Sequence, residues 1–486
     1  MARFDINRYQ IPLTVALLCA FSLIALWVRL IPSFALGSTD VLNLVGSDDP
    51  LYNLRQIELM LANYPTYAWF DPMTLYPFGT TIYWGPLTIY IAATLCLLTG
   101  ATTQAEIIYT SLWTGPLMAV AMVPIIYAIG RKLVDWKTGL IAAGLIAVVS
   151  GQYFTRSYFG YLDHHITETL FATLFCLGYI YTVSSARSHT VSIANPKTLT
   201  APILLSAVTG FLYFLGLLAM PTMILFAMIV AVFTVLQFVW DFWKDRQSDY
   251  LLVANVVVFI VASALMLVYG LKHPGLDLSR YTIGHIYAYT DLIAGTCLLF
   301  GLARYFRTQR KIYYPLALAA IGIVCTVLLF VAVPAIYHLL ISSFFAFFGQ
   351  QAVTLTVQEA RSWSADSAWA TFGAGLLLMT GGIAALGYRI WREERPEYMF
   401  VLVWSLVALF ATIGHVRYEY YLAVNVVLLS AVAIGFALQA GWRDLAAFIG
   451  QSKQPDESAP AKEPAPTVRS SKKRRKEQKS ANVSHT

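Results

Sequence analysis

Apolar residues gather into long runs separated by short polar stretches. The runs cover 11–31, 105–130, 138–153, 166–184, 202–218, 221–240, 250–270, 286–303, 313–335, 367–388, 398–414 and 419–440. A helix that crosses a bilayer needs about 20 mostly apolar residues. The pattern therefore predicts an all-α polytopic membrane protein with about 12 transmembrane helices. A further apolar stretch, 86–99, follows Trp84-Gly85-Pro86 and is too short to span, so it is expected to lie along the membrane. The first run follows Arg3, Asp5 and Arg8 and reaches Leu30 without a small-residue cleavage site, which predicts a retained helix and not a removed signal peptide.

The polar stretches fix an orientation. With the N-terminus cytoplasmic, the inner loops receive Arg131, Lys132 and Lys137; Arg187 and Lys197; Lys244 and Arg246; Arg304, Arg307, Arg310 and Lys311; and Arg389, Arg392 and Arg395. The other face receives scattered cations: Arg55, Arg156, Lys272, Arg280, Arg361 and Arg417. That bias follows the positive-inside rule and places both termini in the cytoplasm. Counting 86–99 as a full span would put the basic stretch 131–137 outside and break it. The external face then owns loops 32–104, 154–165 and 336–366. Residues 1–445 are expected to form the transmembrane domain, and 446–486 a disordered basic cytoplasmic tail rich in Pro, Ala and Ser. Its basic block at 471–476 either sets topology or touches anionic lipid heads.

Composition agrees with this picture. The chain is 58% hydrophobic and 12% charged over 486 residues, against a charged share of about 25% in soluble domains. Much of the net +7 is local, because residues 451–486 hold nine Lys/Arg against four Asp/Glu. The five cysteines, Cys19, Cys96, Cys176, Cys297 and Cys325, fall inside apolar runs without paired spacing, which fits small buried hydrophobes and neither a disulfide framework nor a cysteine metal site.

Carboxylates near a membrane are costly unless they are paired, metal-bound or hydrated. Here they stand at the external ends of helices: Asp48 and Asp49 in GSDDPLYNLR (46–55), Asp163 beside His164 and His165 in RSYFGYLDHHITE (156–168), and Glu359 in TVQEARSW (356–363). Oxygen ligands with an imidazole suit Mn²⁺ or Mg²⁺ and admit Zn²⁺. Side chains two positions apart on an extended turn point the same way, so Asp163 and His165 make a better ligand pair than Asp163 and His164. Alternatively, Asp163 caps the helix that starts near Ile166. Arg156 and Arg417 accompany the acids on the same face, and a guanidinium fork suits phosphate; for Arg417, pairing with Glu419 or interfacial snorkelling is the competing explanation. A carboxylate–metal centre with arginines at a membrane surface suits chemistry on a phosphate-bearing lipid. Transporters place ionisable groups near the bilayer midplane within internal repeats, and the chain shows neither.

At these motifs the chain resembles the catalytic subunit of oligosaccharyltransferases, membrane glycosyltransferases of the GT-C fold that carry out protein N-glycosylation, in their archaeal single-subunit type. GSDDPLYNLR resembles the family's first acidic motif, DPMTLYPFGTTIYWGPL (71–87) its continuation, RSYFGYLDHHITE the second acidic motif in its Asp-His-His form, TVQE the motif of the mobile fifth external loop, and HVRYEYYLAV (415–424) the Arg-bearing helix start. The order holds from the first span to about residue 440. The resemblance implies that Asp49, Asp163 and His165 hold a divalent cation, Mn²⁺ or Mg²⁺, with Asp48 and His164 as neighbours. It implies that Asp49 and Glu359 engage the acceptor amide, and that Arg417 and Arg156 contact the donor phosphate. The donor would be an oligosaccharide on a polyprenyl (dolichol-type) phosphate or diphosphate, and the acceptor the Asn of Asn-X-Ser/Thr in a polypeptide. Transfer would invert the anomeric centre, in the cell membrane, with the active site external and no nucleic acid involved.

Two departures bear on those expectations. The family often carries an acid two residues before the key Asp, where this chain has Ser47. Family members continue into an external domain whose Trp-Trp-Asp motif reads the Ser or Thr of the sequon, and this chain has no Trp-Trp pair. The expectation is a chain lacking that domain. A separate chain then supplies it, the transferase acts on a non-protein acceptor, or the chain is an inactive relative that binds glycan lipid. Asn482-Val483-Ser484 is itself a sequon but falls on the cytoplasmic side.

Overall fold

The computed structural model describes residues 6–36, 41–46, 48–188, 191–349 and 357–451. Residues 452–486 of the predicted basic tail, Ser47 and Thr356 lie outside the described residues, while 446–451, expected to be disordered, are helical. The chain is a run of helices: α1 (Ile6–Leu36), α2 (Asp49–Ala62), α3 (Leu87–Thr99), α4 (Gln104–Leu112), α5 (Thr114–Leu133), α6 (Trp136–Val148), α7 (Gln152–Thr155), α8 (His165–Ser188) and α9 (Thr200–Ala219). There follow α10 (Ile224–Trp243), α11 (Asp249–Tyr269), α12 (Ile283–Tyr305), α13 (Tyr313–Ala332), α14 (Pro334–Phe348), α15 (Ala365–Phe372), α16 (Ala374–Glu393), α17 (Pro396–Gly414) and α18 (Glu419–Gln451). The strands among the described residues form one small antiparallel pair, β1 (Phe70–Asp71) and β2 (Thr80–Thr81), with Phe70 opposite Thr81. The described residues divide into two units, the first ending at Ala437 and the second beginning at Leu438.

Among the described residues, eleven helical stretches are long and apolar enough to cross a bilayer, and the protein is multi-pass. The twelve predicted runs are largely helical, but 105–130 divides into α4 and α5, 313–335 is interrupted at Val333, 367–388 divides into α15 and α16 at Gly373, and 138–153 is cut short. The run 138–153 becomes α6, of 13 residues, which at about 1.5 Å per residue is roughly 20 Å long. It ends because Val149 turns to extended backbone (φ −60°, ψ 136°). Both of its ends are fastened by polar contacts. Arg29 Nη1 donates to Ala147 O at 3.1 Å near one end, and the Asp135 cap at the other accepts from Thr138 N at 2.8 Å. Small residues bring α5 and α6 together; a Cβ on Gly139 would lie 2.7 Å from Tyr127 O, the close approach that membrane helices use in place of hydrophobic drive. The stretch 336–366, read as loop, instead opens with α14. Val333 leaves helical geometry and Pro334 occupies the first turn of the new helix, where its missing N–H costs nothing.

Two apolar cores result. The larger runs through the bundle from Ala25 of α1 to α18. The smaller packs Leu54, Ile57 and Met60 of α2 on Ile89 and Ala92 of α3, Ile108 of α4, and Phe159 and Leu162 of the loop before α8. Polar clamps fasten the larger one: Tyr179 Oη donates to Asn255 Oδ1 at 2.7 Å, and Asn255 Nδ2 donates to Thr234 and Thr296, joining α8, α11, α10 and α12. Arg29, fully buried in α1, donates from Nε to Ser157 Oγ at 2.8 Å, while Phe159 N donates to Arg29 O at 2.9 Å. The end of α1 thereby pins the 151–164 loop. At the opposite ends of the helices, Arg395 and Tyr398 donate to Lys132 O and Leu133 O, and Arg187 pairs with Asp241 at 2.8 Å. Most of the basic residues used above to set orientation sit on that opposite face.

Candidate active site

Four segments distant in sequence meet at one end of the bundle. The first is the start of α2, where Asp48 caps at φ +64° and Asp49 opens the helix. Asn53 Nδ2 donates to Leu162 O at 3.1 Å and Gly46 N to Gly160 O at 2.8 Å, which lays this segment beside the loop that leads into α8. That loop is the second, and carries Arg156, Asp163 and His164 to the first residue of α8, His165. The third and fourth are stitched together: Val416 N donates to Arg361 O at 2.9 Å, Trp363 N to Ile413 O at 3.2 Å, and His415 Nδ1 meets Ala360 O at 2.9 Å. Glu359 is thus held next to Arg417.

The segments enclose a cavity of about 920 Å³. Seven of the eight residues predicted from sequence line it: Asp48, Asp49, Arg156, His164, His165, Glu359 and Arg417. Asp163 lies just behind, 1% exposed. Its Oδ2 accepts from Arg156 Nη1 at 3.0 Å and lies 3.6 Å from His165 Nε2; its Oδ1 lies 2.9 Å from His164 Nδ1 and accepts from His164 N at 2.6 Å. Glu359 Oε2 accepts from Arg156 Nη2 at 2.6 Å and lies 3.9 Å from His165 Nε2, and Glu359 Oε1 accepts from Arg417 Nη2.

Electrostatics follow from this crowding. Burial opposes ionisation of Asp163, but His165, His164 and Arg156 outweigh it and hold the carboxyl well below the usual carboxylate range. For Glu359 burial is likewise outweighed, by His165, Arg417 and Arg156. Asp49 is pushed up, by burial first and then by the Asp163 charge. His164 rises to about 9: burial works against its charge, and Asp163, Glu168 and Asp49 favour it.

Asp163, His164 and His165 each offer one donor atom, and these atoms lie within 4.8 Å of one another. Nδ1 of both histidines and Oε1 of Glu168 are buried and make no aligned hydrogen bond. Buried polar atoms without partners are costly; His164 Nδ1 stands beside Asp163 and, with the Asp163 carboxylate and His165 Nε2, makes a donor set that fits a divalent cation. The sequence spacing ranked His165 above His164 as a partner of Asp163; the structure sets both rings against that carboxylate.

Several neighbours were not foreseen. Glu168, 2% exposed, accepts at Oε2 from Tyr420 Oη at 3.0 Å, Tyr421 Oη at 2.9 Å and Thr222 Oγ1 at 3.4 Å. Trp84 stacks on His164 with ring centroids 6.2 Å apart. Tyr161 bonds Arg156 through its hydroxyl, and the guanidinium lies 4.9 Å from its ring centroid. Glu168 had a signal in the sequence, since it stands one helical turn after two histidines in an apolar run. The tyrosines come from a segment about 250 residues away and had none. Glu419, the alternative partner for Arg417, instead accepts from Gln152 N and Trp363 Nε1, both at 2.8 Å.

The protein is a multi-pass helical membrane protein with carboxylates, imidazoles and guanidiniums converging at one rim of the bundle. The sequence matches the family described as oligosaccharyl transferase STT3, N-terminal, over residues 17–440, and the chain belongs to that family. It is 24% identical over 411 residues to dolichyl-phosphooligosaccharide-protein glycotransferase 3 of Archaeoglobus fulgidus, covering 80% of this chain and 46% of that protein. It is 23% identical over 513 residues to dolichyl-monophosphooligosaccharide–protein glycotransferase AglB of Haloferax volcanii, covering 88% and 48%. The chain thus spans about half the length of the curated relatives it matches. Crystal structures of the Archaeoglobus fulgidus oligosaccharyltransferase share its fold: the apo form has a TM-score of 0.80 at 23% identity, covering 92% of this chain and 53% of that one. The complex with an inhibitory peptide and a dolichol-phosphate has a TM-score of 0.79 at 23% identity, covering 92% and 52%. The complex with Zn and sulfate has a TM-score of 0.71 at 21% identity, covering 90% and 51%.

Proposed function

We propose that this chain carries the membrane catalytic site of an oligosaccharyltransferase, which moves an oligosaccharide from a dolichol-type phosphate or diphosphate to the Asn of an Asn-X-Ser/Thr sequon. The observation that carries this is the meeting of Asp49, the Asp163-His164-His165 cluster, Glu359, Arg156 and Arg417 around one cavity. Family membership and the names of the relatives point the same way.

The chain's own groups divide the work. Arg156 and Arg417 converge on Glu359 from two sides, and paired guanidiniums form a fork suited to phosphate oxygens. Seating the donor phosphate between them would displace Glu359 from one or both. Freed, Glu359 would reach the acceptor together with Asp49. An amide nitrogen is a weak nucleophile because its lone pair is delocalised; two carboxylates drawing on its N–H groups oppose that delocalisation. The nitrogen attacks the anomeric carbon from the face opposite the phosphate and gives up one N–H proton to a carboxylate of the Asp49–Glu359 pair, the carbon–oxygen bond breaks, and the phosphate keeps the electron pair beside Arg417. Positive charge fixed where negative charge develops lowers the barrier. A divalent cation held by Asp163, His164, His165 and Asp49 would supply further charge of that kind. Two imidazoles in the set favour Mn²⁺ or Zn²⁺ over Mg²⁺. Recognition of Ser or Thr would fall to a segment beyond residue 440 or to a separate chain. The basic ends of the helices would face the cytoplasm and the site the exterior.

The test is direct. Purified protein is incubated with dolichol-linked oligosaccharide, Mn²⁺ and a sequon peptide, with and without a relative's external domain. Glycopeptide supports the proposal. A glycosylated lipid without glycopeptide shows a transferase for a non-protein acceptor, and binding of the donor without any turnover shows a glycan-lipid-binding relative; either overturns it.

A further inference from the structure

The Asp-His-His cluster is backed by a carboxylate that does not reach the cavity. Glu168 stands in the first turn of α8, in a helix otherwise fit to cross a membrane, at a depth where an acid is retained only for a reason. One of its oxygens is occupied: Oε2 accepts from Tyr420, Tyr421 and Thr222. The other is aimed. Oε1 lies 3.4 Å from His164 Nε2 and 3.4 Å from His165 Nδ1, buried and without an aligned partner.

The ring atoms involved are informative. His164 turns Nδ1 to Asp163, at 2.9 Å, and His165 turns Nε2 to Asp163, at 3.6 Å. In both rings the nitrogen that faces Glu168 is the one that does not face Asp163. A metal-bound imidazole needs its other N–H taken up by an acceptor, and a carboxylate in that place fixes the tautomer and the ring plane. Here a single oxygen stands within reach of two such N–H groups, and three hydroxyls keep its carboxylate from turning away.

We propose that Glu168 is a positioning residue of the cation site: it holds His164 through Nε2 and His165 through Nδ1, so that the opposite nitrogens of both rings face the ion beside Asp163. The inference rests on the cavity being a divalent-cation site. It assigns both histidines as ligands, and it makes the Tyr420-Tyr421 pair of α18 a buttress that ties the last helix to the metal centre.

Mn²⁺ binding to the purified full chain, followed by loss of the free-ion EPR signal, tests it. The variants are Glu168→Ala, Glu168→Gln, Tyr421→Phe and Asp163→Ala, and each is also unfolded thermally in EDTA. Loss of such a partner costs about 10–100-fold in metal affinity. Glu168→Ala is expected to weaken binding by that factor, Glu168→Gln to recover part of it through its remaining oxygen, and Tyr421→Phe to lose less than Glu168→Ala. Unfolding temperatures in EDTA should stay near wild type. Should Glu168→Ala fail to fold, Glu168→Gln carries the test: weakened binding at wild-type stability supports the proposal. Wild-type affinity in a folded Glu168 variant, with Asp163→Ala silent, overturns Glu168 alone and leaves the site standing. Lost affinity that tracks a fall in unfolding temperature makes Glu168 a packing residue and overturns it too. A wild-type protein that binds no Mn²⁺ removes the site and this inference together.

Discussion

Glu359 spends its carboxylate on Arg156 and Arg417, the two side chains best placed to receive a phosphate. Glu359→Gln should therefore tighten binding of inorganic pyrophosphate to the metal-free protein, measured by calorimetry, because the guanidiniums lose their internal anion. The same substitution, and Asp49→Ala, should cost about 10²–10³ in glycopeptide formation, as expected when one preorganised charge is removed. Tighter anion binding with lost transfer separates a competed seat from a collapsed pocket; weaker binding in Glu359→Gln would contradict the competition. The residue types at this rim were legible in the sequence, because acids, histidines and arginines stand out against apolar runs. Their pairings were not. Arg417 offered Glu419 two positions away, and the fold gave it Glu359 instead, 58 positions off. In the short turn Val416–Tyr418 that precedes α18, Arg417 points into the cavity while Glu419 reaches back to Gln152 N. Local spacing cannot report a partner delivered by another segment.

At the level of elements, the site depends on how loops are fastened to helix starts. Gly151 adopts φ +81° and ψ −155°, a region open to glycine almost alone, and a Cβ there would sit 2.3 Å from Glu419 Oε1. Gly151→Ala should destabilise the protein by about 1–3 kcal/mol and detach Glu419 from Gln152, lowering the unfolding temperature in detergent and transfer together. Unchanged stability would refute the brace. The DPMTLYPFGTT segment is fastened by Asp71, which accepts from Met73 N, Tyr52, Thr74 and Arg55. Burial works against its charge, yet these donors hold its carboxyl at about 2, below the usual value of about 3.9. Its contribution is present above about pH 4 and fades as pH falls toward 2. Limited pepsin digestion across that range should expose residues 63–86, while Asp71→Asn should expose them at every pH. Helix existence was readable from apolar runs. Helix breaks were read less well: Pro334 restarts a helix where the run of 313–335 suggested a single span followed by loop, since proline both ends and begins helices.

Across the whole molecule, charge and site segregate to opposite ends of the bundle, which the polar stretches between runs foreshadowed. Orientation is tested with single cysteines placed in a background without the native five: Ser279→Cys, on the loop before α12, should react with membrane-impermeant maleimide from outside intact cells, and Arg307→Cys, on the loop after it, only after permeabilisation. The reverse pattern would invert the proposed topology and place the catalytic rim in the cytoplasm. The twelvefold count read from sequence exceeds the eleven long spans among the described residues because the run 138–153 is helical over only the 13 residues of α6, fewer than the bilayer rule asks. That helix packs against α5 and α1. The opposite case is α13, whose apolar window has none of its residues buried. A segment that touches hydrocarbon on nearly every side is read by the bilayer as a sum and not as a word. Its leucines, valines and isoleucines should be free to trade places with no loss of yield, whereas the same shuffle in α8 would scramble a text that other helices are reading.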